Sequence, residues 1–75
     1  MRDMLKIQKI FAERLTGFLQ EKNWSLTKFS KMINIPRTTI GSWLLFKRAP
    51  QIDSLYEIAE FFGCSIDYLV GREKY

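Results

Sequence analysis

The stretch that decides the reading runs Trp24-Ser25-Leu26-Thr27-Lys28-Phe29-Ser30-Lys31-Met32-Ile33-Asn34-Ile35-Pro36-Arg37-Thr38-Thr39-Ile40-Gly41-Ser42-Trp43. Ser25 is a good N-cap ahead of an apolar-periodic segment, which predicts a helix over about residues 26–33. Trp24 before the cap and Phe29 at the fourth helical position have the spacing of a hydrophobic staple. Phe29, Met32 and Ile33 are the expected buried face. About two turns of helix are too few to stand alone, so packing must hold them. Asn34-Ile35-Pro36 then breaks the helix. Asn tolerates the left-handed conformation, and Pro forces Ile35 out of the helical region while presetting the next helix start.

A second helix is predicted over about residues 36–46. Two short helices joined by a tight turn of about three residues have the spacing of a helix-turn-helix unit. Counting 100° per residue from Ile40, positions 36, 40, 43, 44 and 47 fall on one side. Positions 38, 41, 42 and 45 fall on the other, with Arg37 and Thr39 flanking them. The inward face is therefore Pro, Ile, Trp and Leu. The outward face is short, uncharged and hydrogen-bonding, beside an arginine at its N-terminal end. A solvated helix usually carries Glu and Lys there. Small polar side chains suit close approach to another surface.

Working outward, residues 3–22 form a first amphipathic helix, with Ile7, Ile10, Phe11, Leu15, Phe18 and Leu19 on one stripe and Asn23 as its stop. Ile52, Leu55, Ile58, Ala59 and Phe62 mark a fourth helix over about 52–62, ended by Gly63. Ser65 caps a short fifth helix, with Asp67 near its positive end and Gly71 closing it. No strand alternation, hairpin signal, repeat or low-complexity segment interrupts this order. The expected class is all-α.

With 75 residues, the chain has room for one domain and one core, and buries only about 60% of its unfolded surface. The six Phe, three Tyr and two Trp supply enough apolar mass to pack that core. No apolar run is long enough to span a bilayer, and the N-terminus has no secretory signal pattern. A cytoplasmic setting and no membrane partner are expected. With one Cys and no His, an internal disulfide and a zinc finger are excluded. Neither a base for Cys64, a Gly-rich phosphate loop nor an acidic metal cluster is evident, so no enzyme and no cofactor are expected.

Charge is distributed unevenly. Residues 22–52 carry six basic side chains (Lys22, Lys28, Lys31, Arg37, Lys47 and Arg48) and no acid. Residues 53–75 carry five acids against two bases. A polyanion is drawn to the middle third and repelled by the last. An ordinary solvated face carries such charge too, but an acid-free span of this length favours nucleic acid.

From about Leu15 to Gly71 the chain resembles the Cro/repressor-like, xenobiotic-response-element type of helix-turn-helix regulators. The resemblance rests on Trp24 to Ser30, on Ile33 to Trp43, on the basic loop Lys47-Arg48-Ala49-Pro50, and on the ending Phe61-Phe62-Gly63-Cys64-Ser65-Ile66-Asp67-Tyr68-Leu69-Val70-Gly71. It implies a compact five-helix, lambda-repressor-like domain over residues 1–75, with the motif at about 25–46 and residues 1–9 as a helical extension. The chain departs from the family pattern at Leu26, where Gln is frequent, at Leu44, where the residue is usually polar or acidic, and at Phe46, where Gly usually ends the helix.

The resemblance implies a transcriptional regulator, expected to be a repressor, that reads double-stranded DNA from the major groove. By matching position, Arg37, Thr38, Gly41 and Ser42 are the candidates for base contact. Ser25, Lys28, Thr39, Lys47 and Arg48 are the candidates for phosphate contact. Alternatives stay open at several of them. Arg37 is also readable as a solvated or phosphate-bound arginine, Gly41 as a site of tight helix packing, and Ser25 as a cap alone. Trp43 reads as core. Leu45 falls on the exposed face, and thymine methyls, a second subunit and plain solvent all remain open for it. A homodimer on a palindromic site is expected, through the last helix and the tail near Tyr75. The competing class is a protein-interaction module, such as an antirepressor or antitoxin, using the same fold.

Overall fold

A computed structural model describes residues 4–74. Their elements are five helices in the order α1 (Met4–Lys22), α2 (Leu26–Ile33), α3 (Arg37–Leu44), α4 (Ile52–Phe62) and α5 (Ile66–Leu69). The expected start at Asp3 and the tail residue Tyr75 lie outside the described residues. The all-α, five-helix class is as the sequence predicts.

Local chemistry sets the helix ends. Ser25 and Ser65, both in extended backbone, accept hydrogen bonds from the N–H groups of Lys28 and Tyr68, so each caps the helix it precedes. Asn23, Asn34 and Gly63 take left-handed φ values of 59°, 60° and 69° after α1, α2 and α4. Each reversal folds the chain back onto orphan carbonyls: Trp24 N–H donates to Leu19 O, Ile35 N–H to Ser30 O and Cys64 N–H to Ala59 O. These are the stops that the residue types predict.

The core is built around α1. Phe11, Leu15 and Leu19, four residues apart, are buried together with Phe29, Ile40, Trp43, Ile58, Ala59 and Leu69. α1 packs on α3 and α5, α2 on α3 and α4, and α4 on α5. Trp43 meets Phe11 edge-on at 5.9 Å. Ile40 and Trp43 together pin the inner face of α3 to α1, which turns the opposite face of α3 away from the core. Burying side chains of this size contributes about 1.5–3 kcal/mol each.

An aromatic cluster joins three helices. Phe18 stacks on Phe62 at 4.4 Å, while Trp24 and Phe29 both pack on Phe61, at 5.8 and 5.7 Å. The staple expected between Trp24 and Phe29 is thus routed through the α4 pair, since both rings also pack on Phe62. Neither Phe61 nor Phe62 turns fully outward. Both are half-buried.

Three packing expectations are corrected. Met32 is exposed and Ser30 is buried in its place, because the buried face of α2 centres on Phe29, Ser30 and Ile33, leaving Met32 about 100° to one side. The Ser30 hydroxyl is satisfied by donating to Thr27 O at 2.8 Å. Ile52 shares the apolar stripe of α4 by angle, yet it is 79% exposed. As the first residue of that helix it projects past the edge of the core. Pro36 is exposed and serves as the cap position of α3 rather than as an inward helical residue.

Candidate nucleic-acid interface

The third helix is shorter than its apolar pattern suggests. It ends at Leu44, and Phe46 takes a left-handed φ of 61°. Phe46 N–H donates to Trp43 O and Lys47 N–H to Ser42 O at 2.9 Å, so the aromatic residue stands where a glycine would normally close the helix. This reversal redirects the following residue. Continued as a helix, Lys47 would face inward with Ile40 and Trp43. Instead it is exposed and sits beside the outer face of α3.

That outer face lines one groove of 330 Å³, formed by Leu26, Arg37, Thr38, Gly41, Ser42, Leu45 and Lys47. All four base-contact candidates and one phosphate candidate, Lys47, therefore come together. Arg37 and Thr38 are exposed, and Gly41 and Ser42 are half-buried. Ser25, Lys28, Thr39 and Arg48 do not line the groove. Ser25 and Lys28 stand exposed at the start of α2, Arg48 is exposed in the loop after α3, and Thr39 is half-buried. A larger groove of 490 Å³ between α1 and the end of α3 contains none of the candidates.

Gly41 is open space. A Cβ built there meets no heavy atom within 4 Å, which removes internal helix packing as the reason for a glycine in mid-helix. Ser42 is constrained differently. Its hydroxyl donates to Thr39 O at 2.6 Å, so its hydrogen is spent within the helix and its oxygen keeps only acceptor capacity in the groove it lines. Lys28 Nζ lies 5.6 Å from the Trp24 ring centroid, an attraction of roughly 0.5–1 kcal/mol at an exposed site.

Charges sort by face. The groove carries Arg37 and Lys47 and no acid. Asp53 and Glu57 line a separate depression with Ile33, Asn34, Ile35 and Ser54. No group of three or more His, Cys, Asp or Glu that could hold a metal occurs among the described residues. None of the described helices is long and apolar enough to cross a membrane. Cys64 is half-buried, and that burial pushes its thiol above the usual range, away from the reactive thiolate.

Two lining residues escaped the functional assignment made from sequence. Leu26 stood out as a departure from the family pattern, and Leu45 as an exposed leucine with no core to join. Those were the available signals. That both line one groove depends on how α2 packs against α3.

A capped helix, a three-residue turn and a second helix with a cationic, polar outer face define a helix-turn-helix protein. Residues 18–69 match the helix-turn-helix family, and the chain belongs to it, with a Cro/repressor-like fold. It is 34% identical over 62 residues to the HTH-type transcriptional regulator AnsR of Bacillus subtilis, covering 83% of this chain and 53% of that protein. It is 31% identical over 64 residues to the HTH-type transcriptional activator BcrR of Enterococcus faecalis, covering 85% of this chain and 31% of that one. A transcriptional regulator from Listeria innocua superposes with a TM-score of 0.72 at 30% identity, over 81% of this chain and 57% of the other. The chain thus spans about half the length of AnsR and a third of BcrR.

Proposed function

We propose that this chain binds double-stranded DNA with α3 in the major groove and α2 across the backbone, and regulates transcription at the sites it occupies. One observation carries the reading: Arg37, Thr38, Gly41, Ser42 and Lys47 converge on a single acid-free groove on the outer face of α3. Arg37 pairs bidentately with guanine O6 and N7, and Thr38 and Ser42 address neighbouring base edges. Gly41 lets the helix approach closely. Ser25, Lys28, Thr39, Lys47 and Arg48 hold phosphates, which sets register without reading sequence. Names of the relatives, a regulator and an activator, support a role in transcription.

Repression is our reading of the sign, because occupying an operator needs nothing beyond the DNA-bound domain. A homodimer on a palindromic site follows from the small interface one domain makes, with half-sites about one helical turn apart. The test is selection from a random DNA pool with wild type, Arg37→Ala and Lys47→Ala. Wild type enriches one motif, Arg37→Ala relaxes one position, and Lys47→Ala weakens all sequences alike. No enriched motif with wild type overturns the proposal. Sedimentation on the enriched duplex reads the dimer, and a monomer at tens of micromolar rejects it.

A further inference from the structure

We propose that Leu26 and Leu45 form a receptor for the C5-methyl group of a thymine, and that with Ser42 they select a T·A pair beside the base read by Arg37. The proposal rests on α3 entering the major groove, as argued above. Leu45 is 65% exposed and Leu26 half-buried. They come from different elements, the start of α2 and the turn after α3, and they are the two large apolar side chains among the groove's seven lining residues. An exposed leucine alone is ordinary. Two that line one groove with Arg37, Thr38, Gly41, Ser42 and Lys47 fit an occupant that is polyanionic outside and apolar at one point.

A duplex meets both requirements. Its phosphates complement Lys47, a guanine edge takes Arg37, and the one apolar group on the major-groove edge of a natural base pair is the thymine methyl. Gly41 supplies the depth, since no heavy atom of the protein occupies the space its side chain would fill. Ser42 supplies the second half of the code. Its hydroxyl hydrogen is held by Thr39 O at 2.6 Å, so it offers an acceptor to the groove. Adenine, the partner of that thymine, presents its N6 amino group as a donor on the same edge. A C·G pair in the same orientation has no methyl group, and it sets guanine O6, an acceptor, where adenine N6 would stand.

The experiment uses the duplex enriched by wild type, resynthesised with uracil in place of thymine one position at a time. Uracil removes the methyl group and leaves pairing intact. Wild-type affinity is expected to fall about fourfold at one position per half-site, the worth of one buried methyl group. Leu45→Ala, a change at an exposed position outside the core, is expected to bind the thymine duplex several-fold more weakly and to lose the uracil effect at that position. Sequence preference without any uracil effect overturns the methyl receptor and leaves DNA reading standing. A uracil effect of unchanged size in Leu45→Ala overturns the assignment to the leucines. Failure of wild type to enrich any sequence defeats the reading of α3 itself.

Discussion

The guanidinium of Arg14 lies 4.1 Å from the centre of the Tyr68 ring, and its Nη1 donates to the Tyr68 carbonyl oxygen at 2.9 Å. The same nitrogen donates to Glu73 O at 3.0 Å, while the Glu73 carboxylate accepts from the Ser65 hydroxyl at 2.7 Å. One side chain in the middle of α1 thus ties down α5 and the tail behind it. α5 has four residues and could not persist on its own. Arg14→Ala is expected to lower stability by about 1–2 kcal/mol, through charge-assisted hydrogen bonds and the ring contact. Arg14→Lys should recover little, because an ammonium cannot reproduce the flat stacking. Urea unfolding of the variants checks both, and equal midpoints for wild type and Arg14→Ala would show the tether to be idle.

Gly41 sets stability against binding. With no neighbour to clash, Gly41→Ala is expected to stabilise α3 by about 0.5–1 kcal/mol. The same methyl group stands on the face that approaches DNA, so affinity for the enriched duplex should fall. Thermal unfolding and a binding titration on one preparation read the opposed signs. A variant that is more stable and binds equally well would show that close approach at this point is unnecessary.

Phe46 inverts an ordinary ranking. Alanine normally exceeds glycine in stability, but the φ of 61° here penalises any residue with a Cβ by about 1–2 kcal/mol. Phe46→Ala and Phe46→Gly lose the same ring. The glycine variant should therefore be the more stable of the two, by about 1 kcal/mol. Denaturant midpoints compare them directly, and the usual order would mean that the turn relaxes away from the left-handed region.

Lys47 and Arg37 should separate by salt. Lys47→Ala removes one phosphate contact and is expected to reduce the slope of log affinity against log salt by about 1, with base preference kept. Arg37→Ala is expected to cost about 1–3 kcal/mol at one base position. Titrations across a salt series distinguish a phosphate contact from a base contact at each residue. A full wild-type slope in Lys47→Ala would remove it from the phosphate set.

The elements and their boundaries were largely open to a reader of the sequence. Ser25, Asn34-Ile35-Pro36, Gly63 and Ser65 act on groups within a few residues of themselves, so residue type alone announces each cap and stop. Apolar spacing along α1 likewise shows which side of it is buried. The polar outer face of the third helix follows from the same arithmetic, and that is why Arg37, Thr38, Gly41 and Ser42 could be named together.

Tertiary structure decided the rest. Whether Ser30 or Met32 completes the buried face of α2 depends on where α4 presses. Whether Ile52 finds a neighbour depends on where the core ends. Lys47 is turned outward by a left-handed residue that sequence pattern assigns to glycine, and Leu26 and Leu45 line one groove only because α2 packs against α3. Caps and periodicity are local interactions, written within one turn of helix. The groove is a meeting of separate elements, and burial elsewhere in the chain sets the angle at which they meet.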